Sequence, residues 1–132
     1  MPFAVENLKL YQKTVDFADL VLTTTEHFPR GYGFLADQLN RASVSIAANL
    51  AEGNGRFTKP DRKHLFAIAR GSILECVPLL ELAARRSLID ADRQDRLRDR
   101  LEELGKMISG LIKGLDRRAS SATPSDADPE SL

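Results

Sequence analysis

The sequence predicts an all-α protein: a single domain built as an antiparallel, up-down-up-down four-helix bundle. Three observations carry that prediction. Apolar residues recur with the helical period in four separate segments, and the two-residue alternation of a strand is absent throughout. The breaks between the segments are short, which favours antiparallel neighbours. A chain of 132 residues fits one domain and can bury roughly two-thirds of its unfolded surface, enough for a core without staples.

The first helix is expected over about residues 7–27, with Asn7 as its N-cap. Successive residues turn by about 100°, so Leu8, Tyr11, Val15, Ala18 and Leu22 form one stripe, with Leu10, Phe17 and Val21 in a second stripe beside it. Lys9, Gln12, Lys13, Asp16 and Asp19 fill the opposite arc. The apolar arc is wider than the ~100° that a surface helix needs. Either the helix is deep in its own bundle or one stripe serves a neighbouring subunit.

Pro29, Gly31 and Gly33 break the pattern. The second helix is expected over 34–52, with Leu35, Leu39, Ala42, Ile46 and Leu50 inward and Gly53 in the left-handed position that ends many helices. The third is expected over 59–86. Thr58 is its N-cap, Pro60 lies in its first turn and Asp61 stands three residues after the cap. Pro78 should bend this helix rather than end it, because the period continues past it. The fourth is expected over 91–116, capped by Asp90 or Asp92. Leu97, Leu101, Leu104, Ile108, Leu111 and Leu115 form its heptad seam. The stretch 119–132 reads as a flexible C-terminal tail, since it has almost no apolar bulk.

Two groups of residues stand out against this frame. Gln38, Arg41, Ser45, Asn49 and Glu52 fall within about 80° of the helical wheel, beside the apolar stripe of the second helix. A solvated face would carry long charged side chains, whereas most of this row is compact and hydrogen-bonding. Glu75 lies in an otherwise apolar strip of the third helix, where a carboxylate is costly unless paired. Arg41 is its natural partner, and together the six residues read as an inter-helix polar network that fixes register, or as a binding surface.

The second group is basic. Between residues 53 and 73, Arg56, Lys59, Arg62, Lys63 and Arg70 outnumber the single acid Asp61, with Phe57 and Phe66 interleaved. That pattern suits a nucleic-acid patch, but a solvated loop followed by a helix start gives the same pattern and is the plainer reading. Overall, 19 basic residues balance 19 acidic ones. That charge argues against a dedicated polyanion binder but leaves room for a local patch.

Other chemistries find no support in the sequence. His27, His64 and Cys76 lack ligand spacing, so no metal site is expected. Gly53-Asn54-Gly55-Arg56 lacks a phosphate-loop signature. Nothing supplies a nucleophile with a convergent base, so no catalytic residue, cofactor or small-molecule substrate is expected. No apolar run is long enough for a bilayer. Cys76 has no internal partner, and Met1–Leu10 does not read as a secretory signal. Together these place the protein in the cytoplasm.

Several short stretches are also familiar. Tyr11-Gln12-Lys13 and Phe28-Pro29 come first. They are followed by Gln38-Leu39, Arg41-Ala42, Val44-Ser45-Ile46, the run Ala48 to Gly53, Gly55-Arg56, Ile68-Ala69-Arg70-Gly71-Ser72 and Glu75. Together they resemble the bacterial four-helix-bundle proteins of the 23S rRNA intervening-sequence (S23-type) family. The resemblance spans about residues 7–116, and Ala51-Glu52-Gly53-x-Gly55-Arg56 is its most specific part. The accessory variability proteins of diversity-generating retroelements are similar to the same group. The resemblance implies a homopentameric ring of antiparallel bundles with no known catalysis. The retroelement members imply nucleic-acid binding through a strongly basic surface, and the zero net charge departs from them. The function expected is therefore a non-enzymatic homo-oligomeric binding module, with RNA, DNA or a ribonucleoprotein as partner. The alternative is a protein-only scaffold.

Overall fold

A computed structural model of the protein describes residues 3–121, and side chains through residue 117. After a 3-10 turn at Ala4–Asn7 come four helices: α1 (Lys9–Thr25), α2 (Gly33–Asn54), α3 (Lys59–Arg85) and α4 (Ala91–Ser121). No strand occurs among the described residues. One continuous core joins all four, from Phe17 and Val21 through Leu39, Ile46 and Leu50 to Leu80, Leu104 and Ile108. Each fully buried Leu or Ile contributes roughly 1.5–3 kcal/mol relative to exposure.

Cross-helix pairs run in opposite order between α2 and α3, between α3 and α4, and between α1 and α4. Arg41 meets Glu75, Ser45 meets Ser72, and Gly53 faces Phe66. On the other side of α3, Lys63 meets Asp116 and Ile73 faces Gly105. Lys13 meets Glu103 while Thr24 meets Arg93, which ties α1 to α4 in the same opposed sense.

The helix ends correct the sequence-based expectations in several places. Asn7 does not cap α1. It ends the 3-10 turn, and Leu8 takes the cap position without a side-chain bond. Gln12 instead donates to the Glu6 carbonyl at 3.0 Å and secures the entry. Thr58 caps α3 as expected, accepting from the Asp61 backbone N–H at 3.3 Å, and Asp90 does the same for Arg93 at 2.7 Å. α3 continues through Pro78. It ends at Arg85, and just beyond it the φ of 59° at Ser87 lets Ser87 and Leu88 donate to the Ala84 and Ala83 carbonyls. α4 continues to Ser121, beyond the expected stop near residue 116. Arg117, Arg118 and Ala119 favour helix, and no breaker precedes Pro124. The rest of the expected tail, 122–132, lies outside the described residues.

Gly53 is the most instructive correction. It is a helical residue inside α2, and the one glycine with positive φ is Gly31. A Cβ at Gly53 would stand 2.7 Å from the Phe66 ring and 3.1 Å from Leu65. Glycine is needed there because α2 and α3 approach too closely for any side chain.

On α1 the stripe of Leu10, Phe17 and Val21 forms the core, whereas Val15 and Leu22 of the other stripe remain about 40% exposed. Thr14, Thr24, Thr25 and Ser43 are buried, and their hydroxyls donate to carbonyls three or four residues back. Among the described residues, no buried side-chain polar atom lacks a partner.

Candidate functional site

The polar row of α2 faces α3, but only part of it forms a network. Arg41 donates to Glu75 at 2.9 Å, and both side chains are largely exposed. The Ser45 and Ser72 hydroxyls lie 2.9 Å apart, with Asn49 donating to Ser45 at 3.0 Å and Ser72 to the Ile68 carbonyl. Gln38 is exposed, and its side chain makes no cross-helix bond among the described residues. Glu52 instead accepts from Arg56 in the α2–α3 turn, at 3.2 Å. Ser72, a central member, was legible only as a small residue on the α3 strip. Its role follows from the register that places it opposite Ser45.

Around this seam the surface stays apolar. Phe34, Val44, Ile68 and Leu82 are between 39% and 64% exposed. Phe34 shares the helical row of Gln38 and Arg41, while Ile68 and Leu82 share that of Ser72 and Glu75. The result is a strip with one ion pair and one hydroxyl cluster, framed by uncovered hydrocarbon.

The basic stretch separates into three parts. Arg56 pairs with Glu52, and Arg62 donates to the Arg56 carbonyl at 2.7 Å, so these two arginines organise the α2–α3 turn. Lys59 and Lys63 both reach Asp116 of α4, at 3.6 and 2.9 Å. The Lys63 hydrogen bond, helped by the charges of both lysines, holds the Asp116 carboxyl below its ordinary value of 3.8. Arg70 stands apart, exposed in a groove with Lys106 and Lys113 of α4. Of the interleaved aromatics, Phe57 is 72% exposed, whereas Phe66 is buried under Gly53 and offers no stacking surface. The local excess of positive charge in the sequence is thus partly offset by Glu52 and Asp116, which lie outside the basic window.

No group of three or more His, Cys, Asp or Glu suited to a metal occurs among the described residues. Burial, reinforced by Glu75 nearby, pushes the Cys76 thiol up to about 12, which leaves it protonated and unreactive. No helix is long and apolar enough to cross a membrane, among the described residues.

The model of the 23S rRNA-intervening sequence protein family matches residues 6–110. The chain belongs to this family. The match covers the polar seam and the basic turn entire. A crystal structure of a protein of unknown function from the S23 ribosomal protein family of Bacteroides thetaiotaomicron VPI-5482 has the same fold, with a TM-score of 0.74. The two are 22% identical, over 79% of this chain and 98% of that one, so the likeness speaks for the fold alone. No curated protein matches. Within the intervening-sequence family this member is a four-helix bundle with two conspicuous polar features, the α2–α3 seam and the basic turn that leads into α3.

Proposed function

We propose that this protein is a non-enzymatic, cytoplasmic, homo-oligomeric binding module whose subunits meet across the α2–α3 seam. The observation that carries the assembly is the uncovered apolar frame of that seam, Phe34, Val44, Ile68 and Leu82. Exposed hydrocarbon rimmed by polar groups is characteristic of a protein contact. Closed rings satisfy such a surface on every subunit, and a pentamer is the ring that the family resemblance implies. Light scattering tests this: a mass near five times the 14.6 kDa chain supports it, and a monomer at micromolar concentration opposes it.

For the partner, nucleic acid or a ribonucleoprotein is the first reading, because Arg56, Lys59, Arg62 and Lys63 gather at one end of the bundle, where copies in a ring would multiply them. A protein-only scaffold is the second. It is favoured by the carboxylates of Glu52 and Asp116, which already hold three of those four cations. A titration with RNA and DNA at rising salt separates the two. Salt-sensitive binding that weakens when the four become Ala supports the first reading. Undetectable binding at low salt selects the scaffold.

A further inference from the structure

The outer side of α3 and α4 holds a groove of about 430 Å³ whose lining includes Arg70, Leu74, Glu102, Lys106 and Lys113. Ile73, Leu74, Glu102 and Gly105 also line its continuation, which adds Val77, Arg98 and Leu101. The two parts form one channel that follows α4 from Arg98 to Lys113, about 22 Å at 1.5 Å per residue. Leu74 and Val77 are 62% and 42% exposed on its α3 wall. Arg70, Arg98, Lys106 and Lys113 are exposed and make no ion pair among the described residues. Glu102 is the one acid in the lining. It pairs with neither Arg98 nor Lys106, although each is four residues away.

We infer that this groove is a docking site for an acidic amphipathic helix of another protein. Its aliphatic side chains would lie over Leu74 and Val77, and its carboxylates would face Arg70, Arg98, Lys106 and Lys113. Charge complementarity is the first argument. Four cations minus one carboxylate leave the lining at +3, so the occupant that satisfies it carries acids.

Spacing is the second argument. Lys106 and Lys113 stand seven residues apart, one heptad, and Arg98 stands eight before Lys106. Cations at that interval beside an apolar strip match a helix with acids at its e and g positions. The channel is roughly four helical turns long, enough for a contact read through residues at i, i+3, i+4 and i+7. Composition is the third argument, and it decides against nucleic acid. No aromatic side chain lines the groove to stack a base, whereas exposed aliphatic surface bordered by charge marks a protein contact. The groove lies on the α4 flank of α3, away from the α2–α3 seam. The inference therefore depends neither on the proposed ring nor on the partner of the basic turn.

The test is fluorescence anisotropy of the full chain with a labelled helical peptide of about four turns, carrying Leu at a and d and Glu at e and g. We expect saturable binding at low salt that weakens as salt rises. Arg70→Glu, Lys106→Glu and Lys113→Glu combined should weaken it at least about tenfold, because several charge pairs turn repulsive together. Leu74→Glu should weaken it as strongly while helical circular dichroism and assembly stay as in the parent chain. That second variant keeps the test decisive should the triple reversal fail to fold. Reversing Lys9, Arg30 and Arg96, exposed cations outside the groove, should leave binding within about twofold. No saturable binding at low salt would overturn the inference. So would binding unchanged by Leu74→Glu, or equal binding of the same peptide with Lys in place of Glu. Tighter, competing binding of a single-stranded oligothymidine would make the groove a nucleic-acid site and overturn it. Release of subunits as the peptide binds, seen by light scattering, would make it a contact between copies and overturn it too.

Discussion

The two flanks of α3 are built on opposite plans. Against α2 the contact is close and finished: Gly53 admits Phe66, Ser45 meets Ser72, and Arg41 reaches Glu75. Against α4 the contact rests on a leucine seam, and the outer edge is an open groove, where Arg70, Lys106 and Lys113 make no ion pair among the described residues and Leu74 is exposed. Small residues bring two helices together and let short polar side chains bond across. Large ones hold the axes apart and leave a groove. One helix therefore makes a close, hydrogen-bonded seam on one side and leaves an open groove on the other.

Substitutions can break or sharpen this contrast, and the largest effect belongs to the leucine seam. Leu104→Ala removes a side chain that is only 1% exposed and should cost about 3 kcal/mol in urea unfolding. Leu74→Ala, on the same flank but in the open groove, should stay within about 0.5 kcal/mol. Equal losses would erase the distinction between seam and edge.

Next comes the close contact. Gly53→Ala should cost about 1–2 kcal/mol by overpacking against Phe66, despite the ~1 kcal/mol that Ala gains as a helix former. Adding Phe66→Leu should recover part of that loss relative to Phe66→Leu alone. A simple stabilisation by Gly53→Ala would mean that the helices have room to spare.

The Lys63–Asp116 clamp should show itself in acid. Asp116 has its pKa lowered in the folded state, so its stabilisation is present above the ordinary value of 3.8 and is lost as pH falls through the folded value. Thermal melts recorded below that pH should fall less steeply for Asp116→Asn than for the parent chain. Parallel acid limbs would show that the clamp contributes nothing.

The smallest effect is expected from Arg41→Ala. That ion pair joins side chains 65% and 42% exposed, so it should matter by less than about 1 kcal/mol to the subunit. A larger loss in dilute, monomeric protein would place Arg41 in the core energetics rather than at the surface of the seam.

Much of this fold was legible in the sequence, because helical period and heptad spacing are local and repeated. The seam of Leu97, Leu101, Leu104, Ile108 and Leu115 is buried as read, and Thr58 caps α3. The Arg41–Glu75 pair was also legible, since a lone acid on an apolar strip requires a partner. What escaped depends on register between helices. Gly53 looks like a helix terminator until Phe66 is placed against it. Glu52 looks like a member of the polar row until Arg56 folds back onto it. The basic window between residues 53 and 73 looks unopposed because its counter-ion, Asp116, lies far along the chain. Likewise Arg70 belongs with Lys106 and Lys113, a grouping invisible before α3 and α4 are laid side by side.

The claim that the finished flank is also the subunit contact has a direct measurement. Light scattering of Val44→Glu combined with Ile68→Glu should report a monomer with unchanged helical circular dichroism, while the parent chain and a Leu74→Glu control remain assembled. A parent chain that is itself monomeric, or a doubly charged seam that still assembles, would contradict it.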